Sequence, residues 1–222
     1  YMVIKVSGMR DASNIHEVSQ LGIDWVGLDF RPNSERYVSQ ISSCAGIIPD
    51  YSSLSALSSQ EPSQKNHRLV LCGVFADDMP QNIVSRVFNF NLDIVQLSGT
   101  ENMVMIDNLR HTLDPDIHAG IKIMKCLAIT KPEDIEKYKE YAEGVDYFLF
   151  EIDENIKDWN ILASYDGKIP FFISGNISID DIEKNRDFHH PLFYGIDVNE
   201  EFEAATAIKD VAALKDLLEK LK

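Results

Sequence analysis

Short apolar segments recur along the chain and alternate with amphipathic segments. Each apolar segment contains four to seven residues and is rich in Val, Ile, Phe and Leu. Segments of this kind are typical of parallel strands that are buried on both faces. The predicted strands are Met2–Val6, Trp25–Phe30, Leu69–Phe75, Ile94–Leu97, Ile121–Leu127, Tyr147–Glu151, Phe171–Ser174 and Leu192–Val198.

Helix-start signals follow most of these strands. Asp11 and Ser178 are of the type preferred at an N-cap, and Pro80 and Pro132 suit the first helical turn. The last amphipathic segment repeats apolar residues at a spacing of three and four, which favours a helix. The predicted helices are Ala12–Leu21, Pro80–Phe90, Pro132–Tyr141, Ile179–Asn185 and Lys209–Lys222.

The alternation of eight predicted strands with helices favours a closed barrel over an open doubly wound sheet, which usually has fewer strands. We therefore predict the α/β class and a single (β/α)8 TIM barrel domain over residues 2–222. Residues 52–67 are rich in serine, and we predict that they form a surface loop within this domain.

The charge balance restricts the possible partners. The chain of 222 residues carries 36 acidic and 21 basic side chains, which gives a formal net charge of −15. A charge of this sign repels polyanions, so nucleic acid and anionic membranes are not expected partners. No apolar segment reaches the ~18 residues of a membrane span, and no leader pattern is apparent, so we expect a cytoplasmic protein.

The cysteines and histidines do not indicate a metal or cofactor. Cys44, Cys72 and Cys126 are an odd number without Cys-x-x-Cys spacing, so we expect reduced structural thiols. His189 and His190 precede a proline, and adjacent residues on such a loop cannot easily face one ion. We therefore predict no metal and no cofactor.

Polar residues at strand ends are the candidates for chemistry, because active sites of such barrels lie where strands end and βα loops begin. Asp29 is notable because it interrupts an apolar strand. If Asp29 faces the barrel, it must be neutral or must pair with a cation such as Lys5, Arg31 or Lys125. The full candidate set is Lys5, Ser7, Asp29, Arg31, Arg36, Ser98, Lys125, Glu151, Asp153, Gly175, Asn176, Asp197, Asn199 and Glu200.

Three motifs in order along the chain resemble the signature of the phosphoribosylanthranilate isomerase family. They are Lys5-Val6-Ser7-Gly8-Met9, Ser34-Glu35-Arg36-Tyr37-Val38 and Asp93-Ile94-Val95-Gln96-Leu97-Ser98-Gly99-Thr100-Glu101. Weaker agreements extend the likeness over the whole chain: Gly27-Leu28-Asp29-Phe30, Gly73-Val74-Phe75, Phe148-Leu149-Phe150-Glu151, Asp158-Trp159, Gly195-Ile196-Asp197 and Lys209-Asp210.

The resemblance implies a TIM-barrel isomerase of tryptophan biosynthesis that acts on phosphoribosylanthranilate without a cofactor, as a monomer or homodimer. The reaction is an Amadori rearrangement, in which a base removes the proton on the ribose C2′ and an acid protonates the ring oxygen. By position, the base falls on Ser7, where the family has Cys, and the acid falls on Glu151, where it has Asp. The implied substrate-binding residues are Arg36, Gly175, Asn176, Asp197 and Asn199, with Arg36 meeting the anthranilate carboxylate.

Several positions depart from the family pattern and predict impaired or altered activity. A serine hydroxyl is a much weaker acid than a thiol, and no histidine is an obvious helper, since Ser98 replaces the family's nearby His. The Gly-Gly-x-Gly loop after the sixth strand is missing, and Asn176 replaces a phosphate-binding glycine. Glu200 replaces a serine, and like charges at ~4 Å in a poorly solvated pocket repel by about 4 kcal/mol.

Three functions remain open from the sequence. The first is a working isomerase in which another carboxylate, with Asp29 as the candidate, replaces the thiol. The second is an inactive paralogue that serves as a binding or assembly protein, for which a filled mouth without a pocket would be expected. The third is a barrel enzyme that uses carboxylates at its mouth on a neutral or cationic, non-phosphorylated ligand. A metal or cation held by Asp29, Glu151 and Glu200 would favour this alternative.

Overall fold

A computed structural model describes residues 1–39, 69–141 and 143–222. Eight parallel strands form a closed barrel in sequence order, which confirms the predicted fold class. The strand bounds differ from the predicted ones by at most two residues. The strands are Val3–Val6 (β1), Trp25–Asp29 (β2), Val70–Phe75 (β3), Ile94–Leu97 (β4), Lys122–Ile129 (β5), Tyr147–Ile152 (β6), Phe171–Ser174 (β7) and Phe193–Val198 (β8). The predicted serine-rich loop and Cys44 lie outside the described residues.

Five α-helices surround the described part of the barrel: Ala12–Ser19 (α1), Pro80–Phe90 (α2), Met103–Leu113 (α3), Ile179–Lys184 (α4) and Val211–Lys220 (α5). The sequence prediction omitted α3. Its signals were present, since the Asn102 side chain caps the helix by accepting a hydrogen bond from Met105 N. The buried residues Ile106, Leu109 and Leu113 also have helical spacing.

The predicted α-helix after β5 is instead a 3₁₀ helix, Pro132–Glu140. The buried side chains Ile135 and Tyr138 are three residues apart, and the half-buried Tyr141 follows after three more. A spacing of three places side chains on one face of a 3₁₀ helix, which has three residues per turn. The apolar spacing therefore favours the tighter helix. A second 3₁₀ helix, Trp159–Leu162, follows β6.

The predicted start of the last helix at Lys209 was wrong. Lys209 lies in an antiparallel hairpin made by Glu203–Ala205 (β9) and Ile208–Lys209 (β10), and α5 begins after the N-cap Asp210. The buried Asn14 side chain accepts from Lys209 N at 2.8 Å and donates to Lys209 O at 3.0 Å. Because these bonds hold the Lys209 backbone in the hairpin, the helix starts later.

Apolar side chains fill the barrel interior towards the amino-terminal ends of the strands, which we call the lower end. One cluster takes a single residue from each of β1 to β7: Val3, Trp25, Cys72, Ile94, Met124, Leu149 and Phe172. Burial raises the pKa of the free Cys72 thiol to about 11, so it stays protonated at neutral pH. This layer closes the lower end of the barrel and leaves polar side chains at the upper end, where the strands terminate. Within the described residues, no helix is long and apolar enough to span a membrane.

Candidate active site at the barrel mouth

A cavity of about 450 Å³ lies at the carboxyl ends of the strands, which we call the mouth. Eight residues were assigned a role above, as base, acid, substrate-binding residue or replacement carboxylate. Seven of them line the mouth: Ser7, Asp29, Glu151, Gly175, Asn176, Asp197 and Asn199. The eighth, Arg36, is not among the lining residues and lies against Gly8, where an added Cβ would be 2.5 Å from Arg36 Cδ. The barrel thus brings together groups that are up to about 190 residues apart in sequence.

Ser7 is held by two charged neighbours. Lys5 Nζ donates to Ser7 Oγ at 2.6 Å and to Asp197 Oδ2 at 2.7 Å, and Ser7 Oγ donates to Asp197 Oδ1 at 2.6 Å. We call these three residues the Lys5–Ser7–Asp197 trio. Lys5 is fully buried, and Ser7 and Asp197 are nearly so.

Strand register produces the trio. Lys5 and Asp197 are paired residues on the adjacent parallel strands β1 and β8, so their side chains project from the same face. Ser7 follows Lys5 by two residues and is fixed by a bond from Ser7 N to Val198 O at 2.9 Å. Burial acts to lower the pKa of Lys5, but the neighbouring Asp197 carboxylate outweighs it and raises that pKa, so Lys5 remains a cation.

The trio corrects the expectation that Ser7 has no adjacent base. Sequence reasoning looked for a histidine and assigned Asp197 only to substrate binding, whereas the structure places the Asp197 carboxylate in a hydrogen bond with the Ser7 hydroxyl. The contact could have been predicted from two features. Lys5 and Ser7 are two residues apart and so face the same side of β1, and closure of the barrel sets β1 beside β8, which carries Asp197.

Asp29 is paired with Arg31, one of its three expected partners. Arg31 Nε and Nη2 each lie 2.9 Å from an Asp29 oxygen, and Arg31 N donates to Asp29 Oδ1 at 3.0 Å. Burial acts to raise the pKa of Asp29, but hydrogen bonds from Arg31 and Ser34 outweigh it and lower that pKa. Both Asp29 oxygens are bonded to Arg31, whereas the Ser7 hydroxyl bonds to Asp197, and this geometry argues against Asp29 as the replacement base.

Lys125, another expected partner of Asp29, is engaged elsewhere. Its ammonium lies 2.9 Å from Glu101 Oε1 and 2.7 Å from Gly99 O, and both charged side chains are buried. The pair ties β5 to the loop after β4, so Lys125 is a structural cation.

Glu151 presents an exposed carboxyl to the mouth from the end of β6. It is paired in register with Ser174 on β7, and its Oε2 lies 3.8 Å from Cys126 Sγ. Burial raises the pKa of the Cys126 thiol to about 12, so this thiol cannot provide a thiolate near neutral pH. Glu151 and Ser7, the positions at which the acid and the base are expected, line the same cavity.

Arg36 is engaged in an ion network beside the mouth. Arg36 Nε lies 2.9 Å from Glu203 Oε2, and Lys209 Nζ lies 2.8 Å from the same oxygen. Lys209 also donates to Asn199 Oδ1 at 2.9 Å, and Glu200 lies 3.4 Å from Arg36. Burial acts to raise the pKa of Glu203, but Arg36 and Lys209 outweigh it and hold that pKa at about 2. Sequence reasoning missed Glu203.

The expected phosphate loops differ in charge from a typical anion site. Six of the described residues that line the mouth are acidic, and Arg31 is the one positively charged residue in this lining. No Lys or Arg of the described chain forms an ion pair with Glu151, Asp153 or Glu154. Asn176 takes a left-handed conformation with φ of 50°, and its Nδ2 lies 3.5 Å from Glu154 Oε2. A phosphate dianion here would meet mainly negative charge.

Among the described residues, the mouth carboxylates do not form a metal centre. Over residues 1–39, 69–141 and 143–222, no group of three or more His, Cys, Asp or Glu could hold a metal ion. Asp29, Glu151 and Glu200 therefore do not form a shared metal site, the observation that would have favoured the third alternative.

Comparison with known proteins agrees with the fold and with the motifs. The family model for N-(5′-phosphoribosyl)anthranilate isomerase matches residues 4–220. The N-(5′-phosphoribosyl)anthranilate isomerase of Parabacteroides distasonis is 34% identical, over 99% of this chain and 93% of that protein. The enzyme of the same name from Phocaeicola vulgatus is 33% identical, over 100% of this chain and 98% of that protein.

Solved structures share the same barrel. A phosphoribosyl anthranilate isomerase in complex with reduced 1-(o-carboxyphenylamino)-1-deoxyribulose 5-phosphate superposes with a TM-score of 0.75 at 21% identity, over 99% of this chain and 97% of that chain. The enzyme from Pyrococcus furiosus gives a TM-score of 0.72 at 17% identity, over 99% of this chain and 98% of that chain. Because the family model and the relatives above 30% identity extend over almost the whole chain, this protein belongs to the N-(5′-phosphoribosyl)anthranilate isomerase family.

Proposed function

We propose that this chain is an N-(5′-phosphoribosyl)anthranilate isomerase of tryptophan biosynthesis whose turnover is reduced by the serine at its base position. The observation that carries the proposal is the placement of Ser7 and Glu151 in one cavity at the mouth. These are the positions at which the family resemblance puts the base and the acid. A cytoplasmic location and a monomeric or homodimeric state are part of the proposal.

The proposed chemistry divides between these two side chains. Glu151 protonates the ring oxygen of the ribose, and this opens the ring to an iminium. Removal of the C2′ proton at the Ser7 position then gives the enol form of the product. A cysteine with a pKa near ~8.5 supplies a thiolate for this step, whereas a serine hydroxyl stays protonated at neutral pH. The proton transfer is therefore the step that we expect to be slowed.

The test compares purified parent protein with Ser7→Cys, Ser7→Ala and Glu151→Gln. We expect measurable parent turnover and an increase in kcat of about 10²-fold in Ser7→Cys, since a well-placed base contributes ~10²–10⁴-fold. Ser7→Ala and Glu151→Gln should each lose about 10²-fold or more. Complementation of a tryptophan auxotroph that lacks the isomerase checks the same order in cells. Absence of turnover in both parent and Ser7→Cys would contradict the proposal.

The mouth carboxylates favour one second candidate, an enzyme or binding protein for a cationic, non-phosphorylated ligand. Glu151, Asp153 and Glu154 lie together on the β6 side of the mouth, opposite in charge to such a ligand. A melting-temperature shift with 1,4-diaminobutane, absent in Glu154→Gln, together with no isomerase turnover would favour it. The open cavity counts against the other alternative, a closed mouth serving only in assembly.

A further inference from the structure

We propose that Ser7 removes the substrate proton as the middle member of a relay, passing its own hydroxyl proton to Asp197 while Lys5 stabilises the serine oxygen. This inference rests on the proposed isomerase function. Under the relay, the net proton acceptor is the Asp197 carboxylate, although Ser7 is the group that touches the substrate. Asp197 then acts through Ser7 as the proton acceptor of the relay, in addition to the substrate contact expected from the family.

The hydrogen bonds leave the serine oxygen correctly arranged for this transfer. A hydroxyl has one proton and two acceptor lone pairs. The proton of Ser7 is given to Asp197 Oδ1 at 2.6 Å, and one lone pair accepts from Lys5 Nζ at 2.6 Å. The second lone pair remains for an incoming proton, and Ser7 lines the mouth cavity from which that proton would come.

Charge at the trio makes the step possible without a free alkoxide. The Lys5 ammonium is fully buried and bonded to both oxygen-bearing partners, so it makes the Ser7 hydroxyl more acidic. Because Asp197 takes the hydroxyl proton as the C2′ proton arrives, no full negative charge develops on Ser7. A carboxylate is a weaker base than a thiolate, so we expect the relay to be slower than the family's cysteine.

Atoms and electrons balance in the step. The C2′–H bond breaks, its proton bonds to Ser7 Oγ, and the Ser7 hydroxyl proton moves to Asp197 Oδ1. The C2′–H electron pair forms a C1′=C2′ double bond. The C1′=N pair of the iminium goes to the anthranilate nitrogen, which becomes neutral. The proton lost from C2′ is thereby matched by one gained at the carboxylate.

The deciding experiment introduces Asp197→Asn into the parent and into the Ser7→Cys variant, and compares the two losses in kcat. A thiolate takes the substrate proton by itself, so we expect a loss of at least about 10²-fold in the parent and less than about fivefold beside Cys. A merely structural role for Asp197 predicts equal losses in both backgrounds, and that result would overturn the relay. If Asp197→Asn fails to fold because Lys5 lacks a counterion, the double change Lys5→Met and Asp197→Asn removes both polar partners of Ser7, and equal losses in the two backgrounds would again overturn the relay.

The pH profile of kcat gives a second readout. The ratio of the Ser7→Cys rate to the parent rate should fall as pH falls from 8 to about 6, because only the variant uses a thiolate. Ser7→Cys should lose rate as its thiolate is protonated. Groups on other elements that act on the trio are the thiols Cys72 and Cys126, whose pKa values burial raises to about 11 and 12, and Lys209. Asp29 and Glu151 at the mouth are common to both proteins and cancel in the ratio.

Labelling with diisopropyl fluorophosphate separates failure of the relay from failure of the proposed function. Ser7 Oγ would bond to phosphorus, fluoride would leave, and Asp197 would take the hydroxyl proton. We expect labelling in the parent and the matched control Ser98→Ala, none in Ser7→Ala, and about tenfold slower labelling in Asp197→Asn. An inactive parent beside an active Ser7→Cys overturns the relay alone. Labelling through Asp197 without turnover in either protein overturns the proposed function and leaves the activated serine.

Discussion

Gly175 shows how one residue fixes the geometry of the mouth. It follows β7 with φ of 122°, a conformation that is left to glycine. A Cβ at this position would lie 2.0 Å from the carbonyl oxygen of Ile152 at the end of β6. The missing side chain therefore lets the ends of β6 and β7 approach each other beside the mouth.

We predict that Gly175→Ala lowers the free energy of unfolding by about 3 kcal/mol, since backbone strain and a backbone clash act together. Gly120→Ala is the matched control. Gly120 also has a positive φ, of 76°, but a Cβ there would have nothing within 4 Å. Gly120→Ala should therefore lower the free energy of unfolding by the backbone strain alone, about 1–2 kcal/mol. Urea unfolding measures both, and equal costs would contradict the importance of the Ile152 contact.

At the scale of elements, the loops after β6, β7 and β8 determine which ligands can enter the mouth. Asp153 and Glu154 follow β6, Asn176 follows β7, and Asn199 and Glu200 follow β8. These loops bring carboxylates to the place where the family resemblance predicts a phosphate site. We therefore predict that these loops, and not the strands, account for the acidic character of the mouth on this side.

Replacing the two altered positions should restore phosphate binding in part. We predict that the double variant Asn176→Gly and Glu200→Ser lowers KM for phosphoribosylanthranilate about fivefold, because removing one exposed like charge is worth ~1 kcal/mol. Glu201→Ser is the control, since Glu201 is exposed and does not line the mouth. Steady-state kinetics measures the change. An unchanged KM in the double variant would show that these loops do not meet the phosphate.

At the scale of the molecule, the ion network of Arg36, Glu203 and Lys209, which we call the Glu203 network, links the first and the last strand–helix units of the barrel. Glu203 on β9 binds Arg36 from the loop after β2 and Lys209 from β10. Lys209 reaches back to Gly8 O at 3.3 Å, next to the end of β1. The first and last units are therefore linked by charge as well as by the β1–β8 ladder.

This network predicts a specific acid sensitivity. The folded pKa of Glu203, about 2, lies below its ordinary value of 4.5. A depressed pKa stabilises the fold above about pH 4.5, and this contribution is lost as pH falls towards 2. We expect Glu203→Gln to cost about 3 kcal/mol at pH 7 and to show a shallower loss of stability between pH 4.5 and 3.

Chemical denaturation at a series of pH values measures this slope. Glu219→Gln is the matched control, because Glu219 is exposed on α5 and forms no ion pair with the described residues. The control should keep the slope of the parent. The same slope in Glu203→Gln would show that other carboxylates govern acid unfolding.

The strands, the barrel and the position of the mouth followed from the sequence alone. Apolar segments and cap residues act between neighbours in the chain, so their signals are local and predicted every barrel strand to within two residues. Local signals were weaker where two structures compete, as in Pro132–Glu140, which is a 3₁₀ helix, and at Lys209, which enters a hairpin. The motifs also indicated the family, whereas the roles of Ser7 and Glu151 as base and acid stay predictions.

Only the tertiary structure decided which charged groups act on one another. Asp29 could have paired with three cations, and the fold gave it Arg31. Ser7 and Asp197 are 190 positions apart, and they meet because closure of the barrel sets β1 beside β8 in a fixed register. Hydrogen bonds and ion pairs depend on distances of a few ångströms between such distant segments, and local sequence patterns do not encode those distances.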